Sequence, residues 1–280
     1  MAVSEQLKSL VEQMPDADGR GMYTENIDQE KIEKAVAAIH EGGRENVLGL
    51  IDMLAEPGSE EDVKPRYALH CLVNYVLVVK DEPGRKQLCE ALASQLGGDR
   101  PKYVQAFLCL ELGWAGRRDN TPALAELLTD EELCAPASMA LAAIRDGAAA
   151  ELRAAWPKAQ GASRRHIMDG LAALTEPESG PLFQEAIHDE DREVRIAAAA
   201  GLAKLGHAES AELLLKVADG AEGWERIQAT KHCLVLAEKL ADSGDTTTAR
   251  HIYEHLQKTR GADSEQYIRE AAERGLAAVV

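Results

Sequence analysis

Apolar residues recur at three- and four-residue intervals along most of the chain, as in Leu88, Leu92 and Leu96. That is the period of a helix with one buried face. No run alternates apolar and polar residues long enough to predict a strand. Helices are expected over 47–56, 85–96, 123–128, 181–187 and 210–218, each followed by a second helical run. Turn formers separate them: Pro57-Gly58, Gly97-Gly98, Gly116, Asp146-Gly147, Glu176-Pro177, Gly206 and Asp219-Gly220.

The second runs repeat one another. Laying EVRIAAAAGLAKL (193–205) on YIREAAERGLAAV (267–279) brings Ile268 onto Val194, Arg269 onto Arg195, Gly275 onto Gly201 and Leu276 onto Leu202. In the same register Val73, Leu112, Leu141, Leu171 and Cys233 fall on Leu202. The step is roughly thirty residues, stretching to about forty at the two ends, which is room for two short helices and two turns. Such units cannot bury their apolar sides alone and must stack. The fold class expected is all-α, an α-solenoid of about seven stacked helix pairs. It occupies 29–280, behind a short helix and an irregular cap segment over 1–28. The cap segment, PDADGRGMYTENID, is polar and without period and is read as a loop.

Composition supports a layered stack. Hydrophobic residues make up 45% of the chain but aromatics only 4%, so Leu, Ile, Val and Ala must fill the layers. With 31 Lys and Arg against 48 Asp and Glu, the net charge is −17. Phosphate contacts need cations, so nucleic acid is not an expected partner. A basic or neutral protein is. No apolar run reaches the ~18 residues of a membrane span, and the N-terminus lacks a signal-peptide pattern. The five cysteines lie inside expected helices without metal or CxxC spacing, and are read as buried thiols of a reducing compartment, which places the chain in the cytoplasm. Trp114, Trp156 and Trp224 fall at helix ends, and two of the three are expected to pack between repeats.

The run DEDREVRIAAAAGLAKLGHAES (189–210) resembles a HEAT repeat of the short variety found in phycobilin-lyase-type proteins. The features are its acidic turn, Val194-Arg195, paired alanines and the Leu202-x-x-Leu205-Gly206 ending. Other units depart from it: Gln105 and Cys134 stand at the Arg position, and Pro65 and Ser163 replace its Val. TTTARHIYEHLQ (246–257) is similar to a tetratricopeptide helix. The resemblance implies a stack with a long binding face, and in some relatives chromophore attachment or di-iron hydroxylation. The hydroxylases use repeated His-Glu dipeptides, whereas here only His40-Glu41 has that form.

Chemistry-bearing patterns are few. His251 and His255 with Glu254 form the inverted zincin spacing, but no third ligand is evident. Asp16, Asp18 and Gly19 begin like a calcium loop that lacks its later ligands. No catalytic residue, metal ligand or cofactor site is therefore assigned. The structured polar signal is the recurring arginine at the start of second helices: Arg66, Arg164, Arg195, Arg226 and Arg269. Such residues pair with acidic turns of a neighbouring unit or meet a partner. On one helix face Arg66, His70 and Asn74 lie four apart, flanked by Tyr67 and Tyr75.

The reading is a protein-binding scaffold or adaptor with no catalysis of its own, its partner-binding residues being Arg66, His70, Asn74, Arg164, Arg195 and Arg226. The alternatives are an enzyme or chromophore-attachment subunit of the phycobilin-lyase kind, and a repeat module of a larger bacterial protein. The apolar last helix adds self-association to the expected partners.

Overall fold

The computed structural model describes residues 3–17, 24–25 and 27–279. The chain divides into two compact units, Met1–Ser163 and Arg164–Val280. The first contains α1 (Glu5–Val11), α2 (Gln29–Glu41), α3 (Gly43–Asp52), α4 (Glu60–Val78), α5 (Glu82–Ala93), α6 (Lys102–Ala115), α7 (Thr121–Ala125), α8 (Cys134–Ile144) and α9 (Ala148–Ala155). Helix α10 (Ala162–Leu174) begins two residues ahead of the second unit. That unit continues through α11 (Gly180–Ala186), α12 (Arg192–Leu205), α13 (Ala211–Gly220), α14 (Gly223–Asp242), α15 (Thr246–Thr259) and α16 (Gln266–Ala278). From α3 onward the helices alternate as first and second members of pairs. The fold is all-α, with the helix pairs of a solenoid in each unit.

Helix starts follow the sequence closely. Asp28, Asp81, Asp191 and Asp245 each precede a helix and accept a hydrogen bond from a first-turn N–H, satisfying a donor that has no partner inside the helix. Gly206 ends α12 with a φ of 73°, a left-handed conformation that glycine adopts without a Cβ clash.

The register read from the repeat is also the register of burial. Val73, Leu112, Leu141, Leu171, Leu202 and Cys233 are all buried, and Leu276 is half-buried. At the position just before it, Gly201 and Gly275 let a ring from the first helix of the pair lie against the second: Phe183 of α11 meets Gly201, and Tyr253 of α15 meets Gly275. This is how a chain poor in aromatics uses the few it has.

Three expectations are corrected. The segment after α1 is not wholly irregular: Asp16–Ala17 (β1) pairs antiparallel with Thr24–Glu25 (β2), a ladder too short to leave a period in the sequence. Asp18 and Gly19 lie outside the described residues. The tryptophans divide the other way. Trp156 is buried, whereas Trp114 and Trp224 are exposed, because those two fall on the uncovered face of a second helix. Of the cysteines, four are buried and Cys71 is half-buried. Burial pushes the Cys89 thiol up to about 11 and those of Cys109 and Cys233 to about 12, which keeps them protonated and inert.

Helix α1 packs on α2, α3 and α4, burying Leu7 and Val11. Among the described residues, no helix is long and apolar enough to cross a membrane.

Candidate functional site

In unit 1 the second helices α4, α6 and α8 run parallel. Arg66 lies over Phe107 and His70 meets Glu111, so both helices advance in the same direction; Lys102 reaches Asp130 and Gly113 lies against Ala140, which sets α8 likewise. Each buries one side on its first helix and leaves the other uncovered. That uncovered side is apolar here. Val78 of α4 is 78% exposed, Leu110 and Trp114 of α6 are 45% and 65%, and Met139 of α8 is 62%. Half-buried Tyr67 and Tyr103 fall on the same side by helical spacing, while Tyr75 turns to His40 of α2, with ring centroids 5.3 Å apart. Scattered surface leucines need no explanation, but large apolar side chains exposed on three neighbouring helices do.

A polar group sits in the middle of this stripe. The Glu111 carboxylate is buried, and its two oxygens lie 3.0 and 3.2 Å from His70 Nδ1. Its hydrogen bond raises the His70 pKa above the ordinary value, outweighing the opposing effect of burial. On the far side of the ring, Asn74 Nδ2 lies 3.0 Å from Nε2 and also donates to the His70 carbonyl. In neutral His70 this arrangement assigns the proton to Nδ1 and the lone pair to Nε2. Trp114 stands edge-on to the ring, with centroids 6.5 Å apart. Of the three α4 residues singled out in the sequence, His70 and Asn74 thus belong to this centre. Arg66 is held bidentately by buried Asp62, at 2.5 and 3.1 Å, and stacks over Phe107.

Sequence reasoning missed Leu110, Trp114, Met139 and Val78. The signal was present: in the repeat register Leu110 and Met139 fall on Ala200, and Trp114 falls on Lys204.

The arginines of unit 2 form a ladder. Arg164 meets Asp189 at 2.5 Å, Arg195 meets Glu225 at 2.6 Å, and Arg226 meets Glu265 at 2.7 Å, each joining one second helix to a following turn or helix start. Arg195 also donates to the carbonyls of Asp189 and Glu190, Arg226 to those of Ala218 and Asp219, and Arg269 to those of Arg260 and Ala262. One side chain therefore satisfies carbonyls where a first helix ends and ties its pair to the next. The hydrogen bonds from Arg195 and Arg226 hold the carboxyls of Glu225 and Glu265 below their ordinary range. Depressed carboxylates stabilise the fold above the unfolded-state value of about 4.3, and that contribution is lost as pH falls through the folded-state values. The urea midpoint should stay level from pH 7 to 5 and drop below about pH 4. Glu225→Gln should lower the neutral midpoint and flatten the acid limb; parallel acid limbs in the two proteins would remove the ladder from the explanation.

Other candidates resolve into local contacts. His251 Nε2 is 2.8 Å from Glu212 and His255 Nε2 is 2.7 Å from Asp219, so each imidazole faces its own carboxylate rather than a shared point. His40 Nε2 lies 2.8 Å from Asp81, the cap of α5. A cleft lined by Glu82, Arg85, Cys89 and Arg117 has its guanidiniums occupied: Arg85 donates to the Ala115 and Gly116 carbonyls, and Arg117 to Glu82. Among the described residues, no three His, Cys, Asp or Glu side chains gather as a metal ion requires. In α16, Ile268 and Ala272 are buried, while Ala277 and Ala278 are exposed.

Residues 153–235 match the family model of HEAT repeats. That segment carries HEAT repeats. The match spans α12, where the resemblance was strongest in the sequence, and part of the arginine ladder. Among solved structures, the complex of CpcE and CpcF of phycocyanin lyase from Nostoc sp. PCC7120 is similar, with 20% identity, a TM-score of 0.43, and coverage of 84% of this chain and 94% of that one. Human deoxyhypusine hydroxylase in complex with glycerol is similar at 14% identity and a TM-score of 0.32, covering 98% and 96%. No curated protein matches the chain in sequence. The expectation of no catalysis of its own is corrected on this finding, since both similar structures are of enzymes, a lyase and a hydroxylase. The physical reason is that the absence of a contiguous motif excludes only contiguous motifs; a helical stack can bring distant residues together, and a fold does not dictate activity.

Proposed function

We propose that the uncovered face of α4, α6 and α8 is a protein-binding surface, and that the chain works by holding a partner there. The observation that carries the reading is the exposure of Leu110, Trp114 and Met139 beside the Glu111–His70–Asn74 centre, with Val78 exposed farther along α4. Apolar anchors around a hydrogen-bonding group are the make-up of an interface core, where a few large side chains supply most of the affinity. His70 and Asn74 contact the partner. Arg66 serves the surface by stacking on Phe107, which ties α4 to α6, while Arg164, Arg195 and Arg226 fix the second helices of unit 2.

A photo-reactive phenylalanine analogue at position 139 should form a discrete covalent adduct with a protein in cells. The same analogue at position 86, on the exposed side of α5, should not, and Trp114→Ala should reduce the adduct at least tenfold. Equal adducts from both positions, or none from position 139, would defeat the reading.

A further inference from the structure

We propose that the partner segment is a basic amphipathic helix of about four turns, lying across α4, α6 and α8 with its apolar side on the stripe and its cations toward the start of those helices. This rests on the protein-binding reading and adds the occupant's chemistry, length and direction of charge.

Length follows from the stripe. Val78, Leu110, Trp114 and Met139 span three neighbouring second helices. Neighbouring helices pack 8–10 Å apart, so the stripe is roughly 20 Å across, matched by a helix of about 13 residues. A helix laid there presents its own apolar residues at three- and four-residue spacing to three successive anchors.

Charge follows from the rim. At the start of α4 stand Glu60 and Glu61, and just before α8 stand Glu131 and Glu132, all four exposed. Among the described residues none of these four carboxylates has an ion-pair partner. The cations nearby are occupied: Lys64 by Glu12 and Asp16, Arg66 by Asp62, and Lys102 by Asp130. Glu132 precedes Met139 by seven residues and Glu60 precedes Tyr67 by seven, so the rim lies about 10 Å from Met139 and Tyr67, while Val78 stands farther along α4. That is the width of one helix, so lysines or arginines on the flank of a docked helix reach the rim. A second copy of this chain is disfavoured as occupant, because it would bring a net charge of −17 against the same rim.

The test is fluorescence anisotropy of two labelled peptides of about 15 residues, both amphipathic helices with leucine on one side, one carrying lysine elsewhere and the other glutamate. The full chain should bind the leucine–lysine peptide at least tenfold more tightly than the leucine–glutamate one. Leu110→Asp and Met139→Asp should each weaken binding at least tenfold although each adds a negative charge, so apolar docking and unspecific attraction predict opposite signs. Circular dichroism of these surface variants checks that the fold is kept. Glu131→Gln with Glu132→Gln should weaken binding about threefold at low salt and less at high salt.

Equal affinity for the two peptides overturns the basic character. Undiminished binding to Leu110→Asp and Met139→Asp overturns the site. No binding of the leucine–lysine peptide overturns the proposal; if position 139 still forms its adduct in cells, the protein-binding reading survives with an occupant of other chemistry, and without the adduct both fall.

Discussion

Arg260→Ala is expected to destabilise the protein by about 3 kcal/mol, read as a lower urea midpoint. Arg260 has no exposed surface, an unusual position for a guanidinium. Its Nη1 donates to Asp219 at 2.6 Å and to Thr259 at 2.8 Å, and its Nε donates to Thr230 at 3.1 Å. Its backbone carbonyl accepts from Arg269, so the residue also joins the end of α15 to α16. Removing the side chain leaves buried Thr230 without this partner and opens the space of two methylenes and a guanidinium inside unit 2. Asp219 loses the cation that, with His255, holds its carboxyl below the ordinary range against the raising effect of burial. Asp219 is partly exposed and can regain water, which keeps the expected loss at the lower end for a buried pair. Nη2 has no hydrogen-bond partner among the described residues, an unsatisfied donor that reduces what the native side chain contributes. Arg260→Met with Asp219→Asn should therefore recover more than half of the loss. A single Arg260→Ala within 0.5 kcal/mol of the native protein would show that the pairing does not hold the end of α15.

How much of this was legible beforehand depended on whether a feature repeats. The buried position of each second helix came out of one alignment because burial acts on Val73, Leu112, Leu141, Leu171, Leu202 and Cys233 alike. The arginine ladder was half visible. Arg164, Arg195 and Arg226 recur, but their acceptors do so at irregular separations, as Asp189, Glu225 and Glu265, so a periodic reading named the donors and could only guess the acceptors. The candidate face was obscured for the opposite reason. Leu110, Trp114 and Met139 are apolar residues inside helices, and sequence patterning assigns such residues to the core. Their exposure becomes apparent only when each is set against its counterparts in unit 2, where Ala200 and Lys204 stand. His70 and Asn74 were found by their spacing of four, while Glu111 could not be, since it reaches His70 from forty-one residues away. The β1–β2 ladder and the burial of Arg260 left no period at all.

Phe183→Ala should cost about 3–5 kcal/mol, the range for emptying a buried phenylalanine site. The ring is fully buried and lies against Gly201 of the paired helix. A Cβ on residue 201 would stand 2.5–2.7 Å from three atoms of that ring, too close for either to remain in place. Gly201→Ala taken alone is therefore expected to destabilise by about 1–3 kcal/mol through overpacking, despite alanine's better helix propensity. The two changes should not add. Once the ring is gone, the new methyl enters the vacated space, so the double variant should be more stable than Phe183→Ala alone, and Gly201→Ala should change from harmful to mildly favourable in that background. Chemical denaturation of the four proteins completes the cycle. Additive losses would mean that ring and glycine are independent, and the close approach of α11 to α12 would not be what selects glycine at this register position. Coupling of the predicted sign would extend the account to Tyr253 and Gly275, where the same register position again meets a ring from the first helix of its pair.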